Sequence, residues 1–212
     1  MLIIPAILAL TFDEFTAALE RVGGLAPYLH LDVMDGVFVP HRTFPERERL
    51  NELPLPDRSE LHLMVADPAA EIKRWQGVRG VFRALVQVEA NNPAAGVAAA
   101  QTAGWEAGLV LNPKTPLSAA DPFLSSISIK VLQFMTVAPG AQGQAFHPEV
   151  KAKIAAFTAR PGRPRCAVDG AVDRSNIREL RDLGVEIANV GHGLLQAHNP
   201  RQEYAVLQTL VA

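Results

Sequence analysis

A single cysteine, Cys166, occurs in 212 residues, so no internal disulfide can form. It sits in a short apolar run, RCAVDG, where a small buried hydrophobe is the expected role rather than a nucleophile. Basic residues barely fail to balance acidic ones, net charge is −2, and no long run of one sign occurs. That balance argues against a nucleic-acid surface and against a patch for an anionic membrane. The apolar opening stretch MLIIPAILAL lacks a basic leader and is too short to span a bilayer, so it reads as a buried strand. No low-complexity linker and no repeat of 20–50 residues divides the chain. These absences point to one cytoplasmic domain over residues 1–212. With 49% apolar residues, the chain has material for a large core, and a chain of this length buries roughly 70% of its unfolded surface.

What does recur is a pattern. Short apolar runs fall at 2–8, 28–35, 60–65, 82–89, 106–112, 129–137, 165–170 and 186–193. Helix-like segments separate them. TFDEFTAALERVGG offers Thr11 as a cap and closes on glycine, and DPAAEIKRWQGVRG opens with a cap followed by proline. NPAAGVAAAQTAG, DRSNIRELRDLG and the final NPRQEYAVLQTLV follow the same grammar, and FPERERLNELP is the weakest helix of the set. Strands alternating with helices imply parallel βα units. Eight such units in one short chain predict a closed (β/α)8 TIM barrel, close to the lower size limit of ~200 residues. An open doubly wound sheet is the competing architecture. It would usually place a glycine-rich turn after the first strand, and PAILALTFDE has none.

In such a barrel, chemistry belongs at the C-terminal ends of the strands. His30 and Asp32 lie two apart in the second run and therefore share a face, with Met34 following on it. His62 and Met64 repeat the arrangement in the third, and Asp169 ends the seventh. Each residue alone has a bland reading, a hydrogen-bonded core histidine or a helix-capping aspartate. Four buried ionisable groups at one mouth need a common explanation, and a divalent metal held by His30, Asp32, His62 and Asp169 supplies it. Imidazole and carboxylate suit zinc, iron or manganese. Met34, Met64 and Met135 fit either an irregular core or a soft apolar wall around a reactive centre. Three late loops, APGAQGQ, DGA and VGHG, carry Gly140, Gly143, Gly170 and Gly191, where backbone amides could cradle an anion.

Taken together, HLDVMDGVFVP (30–40), LHLMVADP (61–68), GLVLNPKTP (108–116), VLQFMTVAPGAQGQAF (131–146) and the VDG at 168–170 resemble the ribulose-phosphate 3-epimerase family. The motifs stand in family order along nearly the whole chain. The resemblance implies a TIM barrel that interconverts ribulose 5-phosphate and xylulose 5-phosphate in the pentose phosphate pathway. It implies one divalent ion, zinc first, with iron, manganese or cobalt as alternatives. His30, Asp32, His62 and Asp169 match the family's metal ligands, and Asp32 and Asp169 its acid–base pair. Met34, Met64, Met135, Gly140, Gly143, Gly170, Ala171, Gly191 and His192 fall at its substrate-binding positions. The expected partners are a small sugar phosphate and further copies of the chain, with no nucleic acid and no membrane.

The chain departs from the family mainly at the phosphate end. Ala6 stands for a serine, an aspartate is missing from ILALTF, and the Asn-Pro-Gly-Phe-Gly-Gly-Gln loop reads Ala138 to Gln144. Ala171 replaces a glycine, His192 a serine, and Gln87 the histidine before Glu89. The alternatives are therefore an epimerase for another ketose phosphate or for an unphosphorylated sugar or sugar acid, a sugar-binding barrel without catalysis, and a related lyase or aldolase. The last would need a further group for carbon–carbon cleavage.

Overall fold

Alternation of two residues per repeat within the apolar runs, and of helical spacing between them, gives the element order directly. A computed structural model describes residues 1–126 and 128–212. Eight parallel strands, β1 (Leu2–Ile7), β2 (Tyr28–Met34), β3 (Arg58–Met64), β4 (Val81–Gln87), β5 (Glu106–Leu111), β6 (Val131–Met135), β7 (Arg165–Asp169) and β8 (Ile187–Val190), close into a barrel in sequence order. The seam forms where Leu2 to Pro5 of β1 pair with Ile187 to Val190 of β8. The (β/α)8 TIM barrel expected from the sequence is the fold observed.

The helices are α1 (Phe12–Val22), α2 (Pro68–Trp75), α3 (Pro93–Thr102), α4 (Asp121–Ser126), α5 (Val150–Thr158), α6 (Ile177–Asp182), α7 (His192–Leu195) and α8 (Pro200–Val211). Thr11 caps α1 through a reciprocal box: its hydroxyl accepts from the Glu14 amide, and the Glu14 carboxylate accepts from the Thr11 amide. Asp67, Asn92 and Asn199 cap α2, α3 and α8, each followed by proline where a free N–H is not needed. FPERERLNELP forms only a 3-10 helix, Arg47–Glu52. Leu50 is its one buried residue, too little apolar surface to hold an α-helix against the barrel. Three helices had no clear pattern of their own in the sequence: α4, α5 and the single-turn α7, which takes up the HGLL that follows Gly191.

The outward faces of the strands and the inward faces of the helices make the main core, with Trp75, Phe134 and Phe157 among its largest fully buried members. A smaller apolar cluster, Ile4, Leu85, Val110, Val131, Ala167 and Ile187 with Met135 and Val137, fills the barrel's interior. Gly108 on β5 faces inward against it: a β-carbon there would stand 2.4 Å from Leu85 Cδ2, so the missing side chain is what lets Leu85 occupy the middle layer. Above this plug, towards the C-terminal strand ends, the inward positions turn polar.

Candidate active site

Strand alternation puts His30 and Asp32 on the inner face of β2, and the register pairs His30 with Glu60 and Asp32 with His62 on β3. Across the barrel Asp169 closes β7 beside Asn189 of β8 and Met135 of β6. One donor atom from each of His30, Asp32, His62 and Asp169 lies within 4.8 Å of the others. His62 Nδ1 is 2.8 Å from Asp32 Oδ1 and 3.2 Å from Asp169 Oδ2. His30 Nε2 lies 3.6 Å and 3.4 Å from the same two oxygens. All four residues are buried.

The electrostatics follow from that crowding. Burial alone would lower the pKa of His30, but the negative field of Asp169, joined by Asp32 and Glu60, raises it well above its ordinary value. His62 is raised in the same way, burial being overcome by Asp169 and Asp32. Burial would push Asp169 up; the two imidazoles instead hold it far below the usual carboxylate range. Further groups hold these four in place. Gln133 donates to Asp169 Oδ2 at 3.3 Å and accepts from Asn189 Nδ2 at 2.8 Å. Thr43 donates to the Asp32 carbonyl and accepts from the Met34 amide, folding the β2–β3 connection back over the strand end. His62 Nε2 faces the Gln87 carboxamide at 2.9 Å.

The donor set fits a divalent cation. Two carboxylates balance two positive charges, two neutral imidazoles complete a borderline set, and His30 Nε2, fully buried and aimed at the carboxylates, has no hydrogen-bond partner. The two histidines present different atoms, Nε2 from His30 and Nδ1 from His62. His30 Nδ1 is 2.8 Å from Glu60 Oε1.

A cavity of about 160 Å³ opens from these carboxylates to the surface. Asp32, Asp169, Met64, Met135, Gly140, Gly143, Gly170, Ala171, Gly191 and His192 all line it. Met34 stands beside the wall rather than on it, packed with Val39 and Met64 under the returning β2–β3 connection. Ala171 has φ +47, the one non-glycine left-handed residue among those described, so a β-carbon is carried where the backbone favours glycine. Gly170 has no such freedom: with φ +106, a β-carbon would lie 2.5 Å from Val137. Gln142 also lines the cavity, its Nε2 2.9 Å from where a Gly191 β-carbon would sit.

Several residues that shape the site carried only a faint signal. Glu60 and Gln133 lie two before His62 and Met135, hence on the same faces, and could have been found by alternation. Asp35, one residue beyond β2, accepts from the amides of Val37 and Phe38 at 2.8 Å and of Ala66 at 2.7 Å, tying the loops after β2 and β3 together.

Fold and cavity together define a closed (β/α)8 barrel with a cavity over the C-terminal ends of its strands. Residues 2–195 match the Ribulose-phosphate 3 epimerase family. Ribulose-phosphate 3-epimerase of Mycobacterium tuberculosis is 32% identical over 221 residues, covering 98% of this chain and 91% of the relative. The cytoplasmic isoform of Oryza sativa is 28% identical over 215 residues, covering 99% and 93%. Among solved structures, 3-hexulose-6-phosphate synthase from Salmonella typhimurium superposes with a TM-score of 0.75 at 17% identity over 100% of this chain and 98% of its own. KGPDC from Streptococcus mutans in complex with D-R5P gives 0.75 at 17% over 99% and 96%, a likeness of fold. The chain belongs to the ribulose-phosphate 3-epimerase family and is an enzyme of the isomerase class.

The Asp35 lock makes a prediction about pH. Burial would raise the pKa of Asp35, and the three backbone amides, Ala66 first, bring it below its ordinary value. A depressed carboxylate stabilises the fold above its unfolded pKa of ~3.9 and loses that contribution as pH falls through the folded value. Asp35→Asn is expected to cost about 1 kcal/mol at neutral pH, a drop of ~2–4 °C in melting temperature. The gap should close below the carboxylate range. Melting curves of both proteins across pH test this; a gap that persists at low pH would show that the carboxylate charge is irrelevant.

Proposed function

We propose that the chain epimerises ribulose 5-phosphate and xylulose 5-phosphate at C3, with Asp32 and Asp169 as the paired acid and base and with a divalent ion, zinc first, held by them and by His30 and His62. The observation that carries this reading is the opposition of two buried carboxylates, from β2 and β7, at the floor of one cavity.

Inverting a carbon next to a ketone requires a proton to leave one face and another to arrive at the opposite face. Two carboxylates on opposite sides of the barrel suit that demand, one taking the proton from one face and the other serving the opposite face. When bound, the cation supplies a Lewis acid that offsets the negative charge developing on the substrate oxygens. Gln133 donates to Asp169 Oδ2 and so fixes which way that carboxylate faces. Met64 and Met135 on the wall exclude water from the reacting carbon. At the outer end, the loops carrying Gly140, Gly143, Gly170, Ala171, Gly191 and His192 receive the phosphate. Gly140, Gly143, Gly170 and Ala171 there have positive φ, and His192 lines that end. Among the residues lining the cavity there is no lysine or arginine, so His192 is the side chain there that can bring positive charge to the phosphate. Cytoplasmic location and association with further copies of the chain complete the proposal.

Proton NMR of the reaction in D₂O is the direct test. Solvent deuterium is expected at C3 of the product, and Asp32→Asn and Asp169→Asn should each abolish exchange while the barrel stays folded, since each proton-transfer group contributes ~10²–10⁴-fold. Either variant exchanging at the wild-type rate would sink the two-carboxylate assignment.

Metal affinity should depend on pH in one direction. Raised pKa values at His30 and His62 mean that protons compete for the ligand atoms through and above the ordinary imidazole range of ~6.5. Zinc is therefore expected to bind more tightly as pH rises from 6 to 8, with release of protons measurable by calorimetry in buffers of different ionisation enthalpy. Affinity independent of pH would rule out imidazole ligation.

His192→Ser is expected to raise KM for ribulose 5-phosphate by about tenfold, the loss of one charge-assisted hydrogen bond, and to leave kcat nearly unchanged. Unphosphorylated ribulose should show no such change. Equal KM values for both proteins on ribulose 5-phosphate would mean that His192 does not read the phosphate.

A further inference from the structure

Behind His30 lies a row of buried charge that none of the chemistry above uses. The strand register sets His30, Glu60, Arg83 and Glu106 side by side across β2, β3, β4 and β5. His30 Nδ1 lies 2.8 Å from Glu60 Oε1, and Arg83 Nη1 donates to Glu60 Oε2 at 2.7 Å. The other side of the guanidinium donates to Glu106 Oε2, through Nε at 2.9 Å and Nη2 at 2.6 Å. Glu60 and Arg83 are 1% and 2% exposed; Glu106 reaches solvent at the far end of the barrel. A guanidinium in the interior is costly to desolvate, and an apolar residue of similar size would fill the space without that cost.

Hydrogen-bond polarity gives the row a purpose. A guanidinium has donors only, so each oxygen it meets must accept. Glu60, held by Arg83 as a carboxylate, has acceptors only. His30 Nδ1 therefore carries a proton towards Glu60, which leaves Nε2, buried and without a hydrogen-bond partner, as the ring nitrogen that can give its lone pair to a metal ion. The geometry points to Arg83 as a positioning residue that, through Glu60, sets the tautomer of His30 and with it the affinity of the metal centre. This inference rests on the metal reading proposed above.

The test uses the full-length protein and Zn²⁺ alone. In Glu60→Gln the carboxamide oxygen is claimed by Arg83, so its NH₂ turns to His30 Nδ1, which must then accept. The imidazole proton moves to Nε2 and blocks the ligand atom. Zn²⁺ affinity, measured by competition with a chromophoric chelator, is expected to fall about 10–100-fold, the usual consequence of altering a group that orients a metal ligand. In the double variant Glu60→Gln/Arg83→Gln the second carboxamide can accept, the first turns round, and affinity should recover towards wild type. A purely structural row would make the double variant no better than the single one. Nitrogen-15 NMR of the histidine rings reads the tautomer directly, with the Nδ1 of His30 protonated in the Zn²⁺-loaded wild type and not in Glu60→Gln. Circular dichroism checks that each variant is folded, and if the double variant does not fold, the ring NMR of Glu60→Gln decides. Wild-type affinity or a protonated Nδ1 in Glu60→Gln would overturn the inference. Wild-type protein that binds no Zn²⁺ would instead overturn the metal reading, so the two failures are distinguishable.

Discussion

Taking Asp32 and Asp169 out of water is the constraint on which the rest of this barrel depends. An ionised carboxylate with almost no solvent contact survives only if donors or positive charge replace the water it has lost. Here the two imidazoles and the Gln133 amide do so together, in a cluster that could also hold a divalent cation. Each replacement creates a need of its own. Gln133 must be aimed, and Asn189 aims it. His30 is buried beside both carboxylates, and Glu60 holds its other nitrogen. Glu60 is a buried charge in turn, and Arg83 answers it. The sequence of compensations ends only at Glu106, where solvent takes over. Electrostatic demand at the mouth is thus transmitted to the opposite end of the barrel along one register row.

This also explains which features could be read from the amino-acid sequence. His30, Asp32 and His62 were legible because strand alternation is local: a separation of two residues puts side chains on one face whatever the partner strand does. The eight strands were legible for the same reason. Glu60 and Gln133 sat within reach of that rule and were hidden by being unremarkable polar residues in apolar runs. Arg83 and Glu106 were not readable, because their meaning comes from pairing across β3, β4 and β5, and register between distant segments leaves no mark in either segment alone. The same holds for Met34. Its position on β2 marks the correct face, yet the β2–β3 connection folds back through Thr43 and Val39 and takes it off the cavity wall.

The two ends of the cavity obey different rules. At the reaction end every donor is a side chain fixed by strand register, and each is coupled to its neighbours, so a change at one position leaves a buried charge unpaired. The outer end is lined by loops between β6 and α7, where conformation matters more than residue identity. Gly170 cannot change there, because Val137 occupies the space of any β-carbon. Ala171 can, at the cost of a left-handed backbone that glycine would adopt freely. His192 and Gln142 lie on the open side, where added bulk meets solvent first.

Tolerance of that kind separates chemistry from recognition within one fold. In the proposed reaction, moving a proton between two faces of a carbon needs Asp32 and Asp169 opposed, and the strands of the closed barrel impose that opposition rigidly. Holding a phosphate demands only donors near an anion, and the late loops can meet it with amides, an imidazole or both. On the proposed reading, a barrel of this design can alter the tail it accepts by exchanging loop residues while the four-residue cluster at its floor stays as it is. The converse exchange is closed to it, because the centre is tied through Glu60 and Arg83 into the packing of the barrel interior itself.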